Sequence, residues 1–229
     1  MQESLKHVEQ TKQIPTKGLA LLVDVVINKF WDLMKLNLLI LVSSIFVVSI
    51  PAAITAGCRI VIMMLRHEHY FVYSDYFYWF KKEFLRSLLV GVLFTIAMVL
   101  CSTASYLYLL YFGHSIFSLI FLTIGVLILA LLIISLFHCY SMLAFVDLQF
   151  GSLLKNSWLL AMARFASNFV VLIIIVLFVA LHIYLWPYSL FLVIIISLSI
   201  MLLLSTFVAY ENIVMFVLKK EESEDGNDA

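Results

Sequence analysis

The sequence predicts an all-α fold, a polytopic bundle of transmembrane helices. Three observations carry this. Of 229 residues, 65% are apolar and 12% charged, against about 45–50% and about 25% in an average soluble domain. Two windows, Ser87–Val146 (60 residues) and Phe165–Tyr210 (46 residues), contain no Asp, Glu, Lys or Arg. The hydrocarbon core is ~30 Å thick and a helix rises ~1.5 Å per residue, so each window holds two spans and is too long for one. Finally, Lys and Arg gather in alternate breaks between apolar runs, as the positive-inside rule requires. A soluble globular enzyme, a disordered chain and a nucleic-acid binder with a basic face are excluded, because 28 charged residues cannot clothe a water-soluble fold of this size.

Along the chain, residues 1–17 (MQESLKHVEQTKQIPTK) read as a polar tail ended by Pro15 and Gly18. They lack the apolar core and cleavage site of a signal peptide. From Leu19 to Lys35, Asp24, Asn28, Asp32 and Lys35 recur on one face of an amphipathic helix. It is either a helix lying at the water–lipid boundary or the frayed end of the first span. Leu36–Leu65, apolar except for Arg59, would be about 45 Å long as one helix, so Pro51 and the small residues after it mark a bend or a reversal. Two topologies follow. A single crossing gives five segments and strands the N-terminal lysines outside. A hairpin at Pro51 gives six segments in three hairpins with both termini cytoplasmic, and is favoured.

The segment His69–Arg86 (HYFVYSDYFYWFKKEFLR) is dense in aromatic and basic residues and fits the headgroup level. Ser74 is its expected N-cap, with Asp75 in the first turn. Spans are then expected at Leu88–Tyr111 and Ile116–Leu136, turning at 112–114, and at Phe169–Tyr184 and Ser189–Tyr210, turning at Trp186–Pro187. A polar return, 147–164, joins the pairs. The turns lack cations and carry Tyr111, Phe112, Tyr184, Trp186 and Tyr188, an outer aromatic belt, which puts 59–86, 147–164 and the C-terminus on the cytoplasmic side of the cell membrane. Residues 18–218 thus form one transmembrane domain, and 219–229 an acidic disordered tail.

Candidate functional residues are few. Arg59, the sole charge in the first apolar region, either binds an anionic or hydroxyl-rich ligand or reaches the headgroups or Glu211. With Asn168 and Glu211 it would border an intramembrane polar cavity. Tyr76, Phe77, Trp79, Phe80, Lys81 and Lys82 form either a cytoplasmic docking surface or an interfacial helix that fixes the register of the next span. Ala52/Ala56 and Ala53/Gly57 are small-xxx-small pairs suited to internal helix packing. His114, His138 and His182 lie in or near spans without a carboxylate in the same span. The cysteines Cys58, Cys101 and Cys139 read as apolar packing. No metal-ligand spacing and no hydrolase or phosphate-binding motif occurs, so no catalytic residue, metal or cofactor is expected.

Several short stretches are similar to the YesL-like family of integral membrane proteins of Gram-positive bacteria. They are Asn37-Leu38-Leu39, the run Val47–Ala56, Tyr70, Asp75, Phe77 and Phe80-Lys81-Lys82-Glu83-Phe84. A second patch comprises Ala144–Asp147, Leu154, Asn156, Ser157 and Leu159–Arg164. Pro51 stands where that family usually has glycine, Glu83 where it has asparagine, and Ala144-Phe145-Val146 where it has Ala-Arg-Phe. The role of the family is not established. Its genes commonly neighbour those of carbohydrate ABC importers, so the resemblance implies a non-enzymatic accessory role beside an ABC-type sugar permease. A small transporter, or a solute- or lipid-binding protein, is the alternative. The lipid bilayer is the one certain partner on this reading; nucleic acid is not expected, and no oligomeric state is implied.

Overall fold

A computed structural model describes residues 18–113, 115–146 and 148–213. Both expected tails, His114 and Asp147 lie outside the described residues. All regular structure among the described residues is helical. The order is α1 (Leu19–Asn28), α2 (Phe30–Ser43), a 3-10 turn (Val47–Ser49), α3 (Ile50–Leu65), α4 (Val72–Lys82), α5 (Phe84–Phe112), α6 (Ile116–Phe145), α7 (Phe150–Ala163) and α8 (Phe165–Tyr184). The last span starts as α9 (Ser189–Leu192), widens into a π turn (Val193–Ser197) and ends as α10 (Leu198–Ile213).

Among the described residues five stretches are long and apolar enough to cross a membrane: Val47–Leu65, Phe84–Tyr111, Ile116–Phe145, Phe165–Tyr184 and Ser189–Asn212. The favoured sixth is not among them: α2, its counterpart, is 14 residues long and rises only about 21 Å. Chain reversal also comes earlier than expected. It occupies Ser44–Ser49, and Pro51 sits in the first turn of α3, where its missing N–H breaks no helical bond.

The two later hairpins follow the charge-free windows. Tyr108 stacks on Phe121 near the tip of α5–α6, and Cys101 Sγ donates to the Gly125 carbonyl. At the tip of the other hairpin the Ser189 hydroxyl donates to the His182 carbonyl over 2.7 Å. Exposed Tyr111, Tyr184, Trp186 and Tyr188 mark these tips. At the opposite end, Arg66 lies over the Phe145 ring and Arg164 pairs with Glu211 at 3.6 Å. The described cations of α4, α7 and the α7–α8 junction therefore share the open end of the hairpins, away from the tips.

The α2–α3 hairpin reaches only part of the way along this frame. Its turn residues Val47 and Val48 line a groove with Val92, Thr95, Ile96 and Leu136, well short of the ends of α5 and α6 at Phe112 and Ile116. Its other end meets Phe145 through Arg66. Small residues seat it. A Cβ on Gly57 would collide with Leu202 Cδ2 and stand 3.2 Å from Ile40 Cδ1, so glycine lets α2, α3 and α10 meet. Ala52, Ala53 and Ala56 are likewise buried, so the small-residue pairs serve internal packing.

Other boundaries differ from expectation in instructive ways. The amphipathic stretch is two helices, broken at Lys29, whose N–H closes α1 on the Val25 carbonyl. Helix α4 starts at Val72, not after Ser74, because Asp75 accepts the Phe71 N–H (2.8 Å) and caps the helix from within. Helix α6 runs nine residues past Leu136, and the expected polar return contains the 14-residue α7. Near the start of α2 the Tyr70 hydroxyl donates to Asp32 Oδ2 (2.8 Å). Burial raises the Asp32 carboxyl, but Tyr70, Lys35 and Lys29 outweigh it and hold the group below its ordinary range.

Candidate functional site

Two polar clusters occupy the open end of the bundle, and they divide the three residues expected around one cavity. Asn168 and Glu211 belong to a cluster on α6, α8 and α10. Buried Asn212 is its centre. Its Nδ2 donates to His138 Nε2 (3.0 Å) and to Asn168 Oδ1 (3.2 Å), and its Oδ1 accepts from Arg164 Nη1 (3.3 Å). Asn168 Nδ2 donates to the Leu160 and Ala161 carbonyls, tying α7 to α8. Glu211 pairs with Arg164, not with Arg59. The void beside His138 and Asn168 is about 20 Å³, room for no more than a water. This cluster is therefore structural glue between helices. His138 fits that role. Its Nδ1 donates to the Ile134 carbonyl (3.0 Å) while Nε2 accepts from Asn212, so both ring nitrogens are occupied. His182 is bound the same way, to the Phe178 carbonyl and Ser197 Oγ, each at 2.8 Å.

Arg59 stands in the second cluster, where α3, α4, α5 and the C-terminal end of α6 meet. Its Nη1 donates to the Ala144 carbonyl (3.0 Å), one of the terminal α6 carbonyls that lack a helical partner. Its guanidinium lies 4.5 Å from the centre of the Trp79 ring, and Lys82 Nζ lies 4.3 Å from the same centre. Such cation–π contacts are strongest where water is excluded. Beside them is a cavity of about 150 Å³ lined by Arg59, Trp79, Lys82, Glu83 and the segment Leu143–Val146. Glu83 is only 5% exposed. Its Oε2 has no hydrogen-bond partner and pairs only loosely with Arg86 Nη1 at 4.0 Å, and Arg59 Nε is a buried donor without an acceptor. A buried polar atom left unsatisfied costs on the order of 1–3 kcal/mol. Here the residues that carry an unpaired donor and an unpaired acceptor line one void, which suits a ligand carrying both complements.

The expected docking residues divide in two. Tyr76 is fully buried. Its hydroxyl donates to Ser43 Oγ (2.7 Å), which itself donates to the Leu39 carbonyl. Burial pushes the phenol up to about 12, the Ser43 bond pulling the other way. Tyr76 therefore presents no ring to a partner. Trp79 belongs to the pocket, and Phe80 packs half-buried against Tyr76 and Phe84. Phe77, Lys81 and Lys82 remain exposed. With Tyr73 and Tyr78 they form the outer face of α4.

Glu83 was legible only as a departure from a family pattern, and Asn212 carried no sequence signal. An acidic residue at the start of a span, next to two lysines, reads as a solvated charge until the fold folds it inward. Among the described residues no group of three or more His, Cys, Asp or Glu could hold a metal ion.

No curated protein and no solved structure matches the chain. A family described as protein of unknown function, DUF624, matches residues 33–103, the stretch from α2 to the middle of α5 that contains Arg59, Trp79, Lys82 and Glu83.

Proposed function

We propose that this chain is a non-enzymatic membrane protein that binds the polar group of a small ligand in the Arg59–Glu83 pocket. One observation carries the reading: Glu83 and Arg59 line the same cavity, and Glu83 Oε2 and Arg59 Nε are both buried without a hydrogen-bond partner. Two cations on Trp79 favour an anionic oxygen, and Glu83 with the terminal carbonyls of α6 favours an N–H or O–H on the same molecule. Trp79 is the natural reporter. Titration of the detergent-solubilised protein with phosphoethanolamine or glycerol 3-phosphate is expected to give a saturable change in emission that Trp79→Phe removes. The combined Arg59→Gln and Glu83→Gln variant is expected to weaken it by about tenfold or more, the size of one lost hydrogen bond to a charged group. No response to either probe retires the reading.

The exposed face of α4 favours a second reading, an accessory protein that docks on a carbohydrate ABC permease at the cytoplasmic surface. Tyr73, Phe77 and Lys81 follow one another at four-residue spacing and are exposed. The YesL-like resemblance supports the same partner. A photo-crosslinker at Phe77 in living cells is then expected to capture a permease subunit, and Gly113→Cys to be labelled from outside intact cells. Capture of lipid alone, or labelling of Gly113→Cys only after permeabilisation, ends this reading.

A further inference from the structure

We propose that the ligand of the Arg59–Glu83 pocket is a phospholipid whose head group carries a hydrogen-bond donor besides its phosphate, with one hydrocarbon chain lying in the groove between α3 and α5. This rests on the pocket reading and adds the ligand class. The groove is about 460 Å³ and is lined by Val47, Val48, Pro51, Leu88, Thr95 and Tyr140 among others, nearly all apolar. Gly91 forms its floor, since a Cβ there would come within 2.8 Å of Pro51 Cγ and 3.0 Å of the Tyr140 hydroxyl.

Groove and pocket share α3 and α6 and adjoin through the start of α5. From the 3-10 turn into α3 the groove takes Val47–Ile54, and further along α3 the pocket takes Arg59; on α5 the groove takes Leu88–Ile96, and the α4–α5 junction just before it gives Glu83 to the pocket; on α6 they take Leu136–Tyr140 and then Leu143–Val146. Pro51 and Arg59 are eight residues apart, about 12 Å of helix. The buried hydrogen bond from Ser87 Oγ to Thr55 Oγ1 (2.8 Å) lies between the two along the α3–α5 seam and holds the helices together there.

Exposed Val47, Val48, Val92 and Ile96 border the groove, so in a bilayer it opens on hydrocarbon and a chain enters without giving up water. Selection then falls to the head. The phosphate answers the Arg59 guanidinium and Lys82, and an ammonium or hydroxyl answers the Glu83 carboxylate. Phosphatidylethanolamine and phosphatidylglycerol both carry that pair. Phosphatidylcholine has the phosphate and no donor.

The full chain in detergent micelles, titrated with these three lipids and with tail-less phosphoethanolamine while Trp79 emission is read, tests the proposal. The ethanolamine or the glycerol lipid, or both, should half-saturate at least about tenfold below the choline lipid and below phosphoethanolamine; which of the two binds identifies the donor. Glu83→Gln should shrink the gap to the choline lipid to less than about threefold. Val92→Phe with Thr95→Phe, both at the exposed rim of the groove, should weaken the lipids at least about fivefold and leave phosphoethanolamine unchanged, with monodisperse elution as the folding control. Choline lipid binding as well as the others, or a groove-filled variant binding lipid like wild type, overturns the proposal. If phosphoethanolamine alone binds as tightly as the lipids, the lipid class fails and the pocket reading stands. If none of the four binds, both fail.

Discussion

Asn37→Leu is expected to lower the thermal midpoint of the solubilised protein by roughly 6–12 °C, the equivalent of about 3 kcal/mol in a chain of this size. Asn37 is fully buried on α2. Its Nδ2 donates to the Val193 (2.9 Å) and Ile194 (2.7 Å) carbonyls, and its Oδ1 accepts the Ser199 N–H (3.1 Å). These are backbone groups of the π turn Val193–Ser197 and the residues beside it. A π turn departs from the α-helical ladder and persists where something outside the helix satisfies the groups it frees. Leucine fills the same space and leaves two acceptors and a donor dry. Asn37→Asp separates hydrogen bonding from mere polarity, because a carboxylate cannot donate to either carbonyl; it is expected to be at least as damaging as leucine. Differential scanning fluorimetry of the three proteins decides. An Asn37→Leu midpoint within about 2 °C of wild type shows that the side chain is not what holds the turn.

Gly57→Leu is the second large effect. Its first added carbon already collides with Leu202 Cδ2, and the longer side chain would force Ile40 aside as well. Both neighbours are buried, so neither can swing into free space. Overpacking of this kind costs about 1–3 kcal/mol, and more where helix backbones must separate. A fall in the monodisperse fraction after solubilisation is expected, with partial rescue by Leu202→Ala, which vacates the contested volume. Gly151→Leu is the control: nothing stands within 4 Å of its Cβ position, so it should behave like wild type. Equal losses at Gly57 and Gly151, or no rescue by Leu202→Ala, would show that close packing at this crossing is not the cause.

The fold was most readable where lipid would impose the strictest rule. Lipid offers no hydrogen bonds, so charge-free windows of the right length translate directly into helices. The α5–α6 and α8–α10 hairpins and their tips stand where those windows put them. Reading failed where protein, not lipid, is the solvent. His138, Tyr140 and Ser141 lowered the apparent hydropathy after Leu136 and hid the last turns of α6, yet they turn to Asn212, Cys58 and the rest of the interior. Pro51 was a true signal of discontinuity, but a proline marks the start of a helix as well as its end. At the site, Arg59 drew notice by being alone. Glu83 did not, because exposure of a carboxylate beside two lysines is the ordinary case and its burial depends on α6 ending over it.

The α2–α3 hairpin has its seat in chain that follows it. Gly57 rests on Leu202, Cys58 accepts from Thr206 across 148 residues, and Asn37 binds the π turn 156 residues onward. Contacts so distant in sequence cannot form until both partners exist. The ribosome therefore must complete most of the polypeptide before the first membrane element it made can settle, and in the interval residues 30–65 stand as unassembled cargo for the insertion machinery.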